Sequence, residues 1–586
     1  MEEISTEVLV VGAGAAGARA ALEANKAGAR TLLITKGTFG KAGTSAFVVS
    51  ESAGFSASGF CDPEDSPEKH YKDIKKAGLG MCNRELARII AIEAPRHLMF
   101  LDSIGVPIQR ENGNFLAICS CFSTYPRSIR IKGHGKPIVE SLKKIIYKQN
   151  INILENTLAI APFLDNNSRI IGALVLSNRE RFIYIKAKAI ILATGGAGQL
   201  FEKNLNPSDI TGDGYVFGLK AGARLINMEF MQSGLGIIAP KKNVILQSWL
   251  WGLKPKIISL KGDKFMEDYI PKENSLEKIM DMKSRHYPFS TRDCSKYMEI
   301  GVQSFINDCQ DNAENNSVWM SLSGLDKYVE SLPKGHNLKK MYGISKNFLE
   351  SVGIKINEKF QIACFAHAMN GGLVIDQFGR TDIEGLYAVG EVAGGPHGAD
   401  RLGGNMFPTT QIFGERAGLH AAMYTKYTKD HNFKHTKIMK KAEEIVKSLI
   451  SGSDKELSIQ DLRYKLQDLA SRSLLIVREK KQLEFFIEKI EEMEKSLANI
   501  TSNDITSKVE LMNLQLTGKS IARAALLREE SRGSHYRKDY PELVLDWNKK
   551  NIVIFLNSKE EIECKIVSNN THLQSKNNII LRKEVN

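Results

Sequence analysis

Six residues near the start of the chain, Gly12-Ala13-Gly14-Ala15-Ala16-Gly17, constrain its fold more than any other segment. They follow an apolar run, Thr6-Glu-Val-Leu-Val-Val-Gly12, and precede an alanine-rich stretch at 16–28 that ends in Gly28. The first run suits a buried parallel strand; the second has a helical pattern with Gly28 as its C-cap. A short apolar segment, Arg30–Thr35, then completes a strand–helix–strand unit of about thirty residues. In such a unit the first glycine permits a sharp turn and the second lets backbone approach a pyrophosphate. The third lets helix pack on strand, and the helix N-terminus turns its positive end toward the phosphates. Gly12, Gly14, Ala15, Ala16 and Gly17 are therefore the expected dinucleotide contacts.

The acid that would hold the ribose hydroxyls at the end of the second strand is missing, and Thr35-Lys36 stands in its place. Thr35 offers a weaker hydroxyl contact. The chain has a single full fingerprint, whereas a pyridine-nucleotide disulfide reductase carries a second one and a redox C-x-x-C. The cysteines at 61, 82, 119, 121, 294, 309, 364 and 564 are scattered, and the nearest pair is a C-x-C. That pattern predicts free thiols, no metal and no iron–sulfur cluster in this polypeptide, so any such cluster belongs to a partner.

A chain of 586 residues exceeds one core, and two to four domains are expected. Two further strand-then-glycine boundaries, Lys188–Gly196 and Gly385–Glu391, have the form of parallel strands ending at a ligand. Between them, 236–354 changes character, contains Trp249 and Trp251, and reads as an insertion. The stretch 426–530 is helical in pattern, as at Leu483–Leu497, and the last forty or so residues contain strand-like runs such as Ile552–Leu556. No internal repeat is visible. The formal charge of +13 is spread along the chain, with short clusters at Lys437–Lys441 and Arg478–Lys481. That distribution argues against a nucleic-acid surface and leaves room for an acidic substrate or partner. No run approaches the roughly 18 apolar residues of a membrane span, and the N-terminus lacks a signal-peptide pattern. A cytoplasmic location is expected, without membrane insertion.

Several later segments resemble the flavoprotein subunits of succinate dehydrogenase and fumarate reductase, a family that includes L-aspartate oxidase. They are Ala193-Thr-Gly-Gly-Ala-Gly198, Asn206-Pro207, Thr211-Gly-Asp-Gly214, Ala221-Gly-Ala223 and Met228-Glu-Phe230. The most specific are Gly390–Asn405, containing Gly-Ala-Asp-Arg-Leu-Gly-Gly, and Leu527–Pro541. The resemblance runs in order from residue 5 to about 545. It implies an α/β fold: a Rossmann-like FAD-binding domain in two parts (1–235 and 355–425), with an inserted α+β capping domain (236–354). A helical C-terminal domain (426–545) and a tail (546–586) follow.

By the same resemblance, Glu391 meets the ribityl or ribose hydroxyls, Asn405 and Met406 lie along the flavin, and Gly43, Thr44 and Ser45 sit near the isoalloxazine. Ala159, Ala193, Thr194, Gly195 and Asp213, with Thr35 and Lys36, complete the expected cofactor set. Several relatives attach FAD covalently through a histidine just before the threonine; Gly43-Thr44 stands there, so FAD is expected to be noncovalent.

The resemblance implies hydride transfer between the flavin and a carbon beside a carboxylate. Arg292, in Ser290-Thr-Arg-Asp293, matches the family's catalytic arginine; His367 and Arg401 match carboxylate-binding positions. Taken singly, such an arginine reads as a surface ion pair and such a histidine as a packed one; their motif settings favour function. Other positions depart from the family. Where it has aromatic-His-Pro-Thr, whose histidine holds a second carboxylate, this chain has Ser233-Gly-Leu-Gly-Ile237. The Thr-Glu-x-x-Arg-Gly segment, which feeds protons to the arginine, falls near Gln247-Ser-Trp-Leu-Trp-Gly252. An unpaired carboxylate buried at that end is costly. The expectation is an FAD-dependent oxidoreductase acting on C–C/C=C or C–N/C=N bonds of a small anion with one carboxylate. Its far end would be less charged, lined by Trp249 and Trp251 unless these are core. A divergent fumarate reductase/succinate dehydrogenase or L-aspartate oxidase, and an electron-transfer flavoprotein subunit of a larger complex that processes no small substrate, are the alternatives; an iron–sulfur or other electron-transfer protein is the expected kind of partner. Asp293, Asp400 or water would recharge Arg292.

Overall fold

The computed structural model describes residues 1–47, 52–241, 244–309, 316–428, 435–452, 458–501 and 504–568. At its centre lies a five-stranded, all-parallel sheet in the order Leu386–Ala388, Ala189–Leu192, Val8–Val11, Thr31–Ile34, Asn152–Leu154. The three middle strands are buried at every residue, as a parallel sheet covered on both faces requires. The helix Ala15–Lys26 follows the first strand, and its C-cap is Ala27 rather than Gly28. Gly28 comes next at φ +92° and closes the turn.

That helix packs against the long helix Met406–Tyr427 at glycine contacts. A Cβ on Gly418 would lie 2.4 Å from the carbonyl of Ala20, and one on Gly414 would lie 2.8 Å from that of Ala16. The late segment of the chain thus returns to cover the opening nucleotide fold. A four-stranded sheet, Glu2–Ser5, Arg181–Lys186, Ile170–Ser177 and Thr157–Leu164, lies beside this core.

The insertion builds its own five-stranded sheet, ordered Val244–Ile245, Met231–Ala239, Phe360–Met369, Val318–Ser321, Lys256–Ile258. The helices Leu276–Lys283, Lys296–Asp308 and Asn337–Ser351 accompany it. Its two long strands start before 236 and end after 354, so they carry the chain between insertion and nucleotide fold. The helical stretch is formed by His435–Ile450, Ile459–Ser473, Lys480–Asn499 and Ile505–Leu527.

The segment expected as a tail is structural. Lys550–Leu556 and Ile562–Ser568 form a hairpin, and its first strand pairs with Leu225–Ile226 in a sheet that also holds Gly372–Val374 and Ala393–Gly394. Ile552, Val553 and Ile554 are buried there. The motif at 527–541 is likewise internal. Arg528 donates to Glu229 at 2.6 Å, Glu530 bridges Arg528 and Arg532, and Arg478 donates to the Glu229 carbonyl at 2.7 Å. These side chains are fully buried. The arginine-rich signature therefore joins the helical region to the Met228-Glu-Phe segment beneath the cap.

Candidate functional site

A cavity of about 320 Å³ opens beyond the C-terminal ends of the parallel strands. Its lining includes Gly12, Gly14, Ala15, Ala16, Thr35, Lys36, Gly43, Thr44, Ser45, Ala159, Ala193, Thr194, Gly195, Asp213, Glu391 and Met406. His367 and Arg401 line it as well. Gly17, Asn405 and Arg292 do not. Gly17 acts from behind: a Cβ there would stand 1.8 Å from the Gly12 carbonyl oxygen. Gly12 itself has φ +108°, and its Cβ would meet the Ala193 carbonyl at 2.3 Å. Gly14, by contrast, has only the Ser45 side chain in reach, at 3.4 Å. The turn is therefore packed on its protein side and bare on its cavity side, with a helix N-terminus at Ala15. That is the cradle a dinucleotide's pyrophosphate fits.

Lys36 lines the cavity but its charge is already engaged. Its Nζ lies 2.8 Å from both Asp213 and Glu510 and 2.5 Å from the Thr211 hydroxyl. Burial works against that charge, yet Asp213 and Glu510 raise its pKa above the ordinary lysine value. Asp213 also accepts from Asn513 at 2.9 Å. Both residues thus tie the nucleotide fold to the helix Ile505–Leu527, a partnership invisible in the local motif.

Asn405 is fully buried, and its Oδ1 lies 2.9 Å from His70 Nε2. Its Nδ2 has no hydrogen-bond partner among the described residues. Glu391 accepts the Met369 amide at 2.9 Å. Burial lifts its carboxyl to about 7, against the pull of that amide and of Arg401.

At the far side of the cavity, His367 Nε2 and Arg401 Nη2 lie 3.4 Å apart. His367 stands on the cap strand Phe360–Met369, and Arg401 on the loop leading to the helix Met406–Tyr427. Burial, then the neighbouring guanidinium, holds the His367 imidazole down at about 3, so it is neutral at physiological pH. His397, also pressed by Arg401, is held at about 3. Burial lowers the Arg401 pKa, and Glu391 only partly opposes it. Arg401 Nε is buried without a hydrogen-bond partner among the described residues. A buried guanidinium with an unused donor is costly alone and is satisfied by an anion.

Arg292 lies outside this lining. Its Nη2 donates to Asp400 at 2.8 Å and to the Ala77 carbonyl at 3.1 Å; its Nε donates to Ser290 Oγ at 3.1 Å. The guanidinium sits 3.9 Å from the centre of the Phe122 ring. Asp400 is fully buried, and burial raises its carboxyl against the pull of Arg292 and Ser290. Of the proposed relay acids, Asp400 touches Arg292, while Asp293 faces His286 at 3.3 Å.

The two tryptophans do not line the cavity. Trp251 is 1% exposed and belongs to the cap's core, and Trp249 packs edge-on against Phe348. Their short helix, Ser248–Leu253, packs against the helix Asn337–Ser351, and that contact determines where the indoles lie. Sequence reasoning missed His134, Phe407 and Thr410, which do line the cavity. The Gly133-His134-Gly135 turn was the available signal for the first, and His134 adopts φ +62°. Asn206, quoted above within a family motif but given no role, accepts from Thr44 Oγ1 at 2.9 Å and donates to the His367 carbonyl at 3.2 Å.

All eight cysteines are free. Glu93, His97 and Glu415 place liganding atoms within 4.8 Å of one another. Their carboxylates are engaged by Arg19, Arg96 and Arg416. No helix among the described residues is long and apolar enough to cross a membrane.

The parallel sheet, the glycine turn and the cavity beyond it define a dinucleotide-binding protein, and comparison with known proteins makes it an FAD-dependent oxidoreductase. An FAD binding domain family matches residues 7–407, and the fumarate reductase flavoprotein C-terminal family matches 463–578. The chain belongs to the flavoprotein family of succinate dehydrogenase and fumarate reductase. It is 30% identical over 576 residues to a fumarate reductase (CoM/CoB) subunit of Methanothermobacter marburgensis, covering 95% of this chain and 97% of that one. It is 27% identical to the L-aspartate oxidase of a Nostoc species, covering 93% of each. Among solved structures, Mycobacterium smegmatis Sdh1 in complex with UQ1 is similar at TM-score 0.82 and 25% identity, over 97% of this chain and 94% of that one.

Proposed function

We propose that this enzyme interconverts a single and a double bond, C–C/C=C or C–N/C=N, beside one carboxylate of a small substrate. The carrying observation is the buried Arg401, whose Nε lacks a partner among the described residues. The basic residues lining the cavity are Lys36, His134, His367 and Arg401. Lys36 is paired with acids, and the two histidines are held at about 4 and about 3, hence neutral. One fixed positive charge remains to meet the substrate, which suits one carboxylate.

FAD, when bound, supplies the two-electron chemistry by accepting or donating hydride. Gly12, Gly14, Ala15, Ala16, Gly17, Thr35, Gly43, Thr44, Ser45, Ala159, Ala193, Thr194, Gly195, Glu391 and Met406 would hold it noncovalently, with Lys36, Asp213 and Asn405 organising their neighbours. Arg401 would clamp the substrate carboxylate with its planar fork, and neutral His367 would donate a second hydrogen bond. Arg292, paired with Asp400 and outside the cavity lining in this structure, would have to turn into the cavity to move the proton at the neighbouring carbon, and Asp400 would recharge it. The enzyme would work in the cytoplasm and exchange electrons with a separate iron–sulfur or other redox protein.

The test is anaerobic mixing of the oxidised holoprotein with a panel of saturated carboxylic acids, and of the dithionite-reduced holoprotein with their α,β-unsaturated counterparts, followed at the flavin band. Turnover of monocarboxylates ahead of succinate, fumarate and aspartate supports the proposal. The similarity to a fumarate reductase favours a second reading, a divergent dicarboxylate enzyme. A kcat/KM for fumarate, succinate or aspartate of about 10⁴ M⁻¹s⁻¹ or more would establish that reading instead.

A further inference from the structure

In a nucleotide fold of this kind an acid at the end of the second strand accepts hydrogen bonds from the adenosine ribose. Here that strand, Thr31–Ile34, runs into Thr35 and Lys36. Lys36 lines the cavity, but its Nζ is committed to Asp213 and Glu510, each at 2.8 Å. Glu155, just past the neighbouring strand Asn152–Leu154, lies outside the lining and accepts the Phe39 amide at 2.9 Å. The strand end therefore offers a hydroxyl but no carboxylate.

Three carboxylates do line the cavity: Asp209, Asp213 and Glu391. Asp213 is taken by Lys36, by Asn513 at 2.9 Å and by the Thr211 hydroxyl at 2.8 Å. Glu391 accepts the Met369 amide at 2.9 Å and feels Arg401, toward the other end of the cavity. Asp209 differs from both. It is half-buried, and no side chain among the described residues donates to it.

The loop that carries Asp209 is fixed beside the second strand. Thr211, two residues on, sets its hydroxyl 2.5 Å from Lys36 Nζ. The Gly212 amide donates to the Gly196 carbonyl, and the Gln199 amide to the Ile210 carbonyl, both at 3.1 Å. These bonds hold the loop between Lys36 and the glycine turn that follows the strand Ala189–Leu192. Burial raises the Asp209 carboxyl, and Asp213 adds to the rise; Lys36 and the amides of Asp209 and Gly43 pull the other way.

We infer that Asp209 is a cofactor-binding residue whose carboxylate accepts from the adenosine ribose hydroxyls of FAD, in place of the acid missing from the second strand. An ionised carboxylate has about four acceptor positions and can take both hydroxyls of a vicinal diol. Hydroxyl donors bound there would offset the desolvation that burial imposes on the charge. The inference concerns the cofactor and is independent of the identity of the substrate.

The test titrates the full-length apoprotein with FAD and with FAD analogues lacking the 2′- or the 3′-hydroxyl of the adenosine ribose, followed by the change in flavin fluorescence. Wild type should bind FAD about tenfold or more tightly than at least one deoxy analogue, the loss of a hydrogen bond to a charged group. Asp209→Ala should bring that ratio close to one and weaken FAD by a similar factor. Asp209→Asn, which keeps an acceptor oxygen without the charge, should retain part of the preference. A ratio that survives Asp209→Ala overturns the inference even if every flavin binds more weakly, because that pattern reports a loop held in place rather than a ribose contact. A wild type indifferent to both hydroxyls overturns it as well.

Discussion

The Arg401 guanidinium and the His367 imidazole approach to 3.4 Å although they come from opposite sides of the cavity, one from the nucleotide fold and one from the cap. A carboxylate bound between them would bridge two parts of the protein. Arg401→Ala should therefore weaken binding of any substrate acid by about 100-fold or more, because it removes a desolvated charge partner. Titration of the flavin spectrum measures this, and near-wild-type affinity would place the carboxylate elsewhere.

The neutrality of His367 makes a prediction about pH. With its pKa held at about 3 by burial and by Arg401, it undergoes no ionisation between pH 6 and 8. Affinity for a monocarboxylate should therefore show no step that depends on His367; a step in that range belongs to Glu391, whose carboxyl burial lifts to about 7 beside Arg401. A step abolished by His367→Asn would mean that the imidazole titrates there.

Arg292 and Asp400 form one unit, bonded at 2.8 Å. If Arg292 moves the proton, Arg292→Ala should lower kcat by about 100-fold or more, as loss of a general acid does. Asp400→Asn should lower kcat in the same direction with little change in KM. A rate for Arg292→Ala above about a tenth of wild type would remove it from the mechanism, since general acids contribute far more.

Gly43-Thr44 offers no nucleophile for a flavin bond, and Thr44 is hydrogen-bonded to Asn206. Acid precipitation should release all the yellow colour into the supernatant. Colour retained in the washed pellet would show a covalent link through another residue.

The cluster where Glu93 and Glu415 meet Arg19, Arg96 and Arg416 should govern acid stability. Burial alone would raise the Glu93 carboxyl; hydrogen bonds from His97 and Arg416, with the charges of Arg416 and Arg96, hold it at about 2 instead. A carboxyl depressed in the folded state stabilises it fully above the unfolded value near 4.5 and loses that contribution as pH falls toward 2. Thermal unfolding should show stability declining across that window. Glu415→Ala, which leaves Arg19 with Glu23 and Arg96 with Glu93 as their remaining acid partners, should cost about 1 to 3 kcal/mol and flatten the decline.

How much of this was legible follows from the range of each interaction. The glycine turn, its flanking strands and the small residues at 193–195 speak through local geometry, because each glycine answers a steric demand of its immediate neighbours. Local sequence was therefore enough to determine the nucleotide fold and, through motifs in order, the FAD-dependent class and the carboxylate-binding candidates His367 and Arg401. It also revealed that Gly234 lacks a side chain, but not what stands there. That came from tertiary packing, which brings Tyr287 across fifty-odd residues to within contact of Gly234. The same holds for Lys36, whose charge is spent on Asp213 and Glu510, and for Lys550–Leu556, a strand rather than a tail because Leu225–Ile226 offers it an edge. Trp251 was placed likewise, in the cap's core and outside the cavity lining. Pairing between distant segments depends on burial and shape that no local window contains.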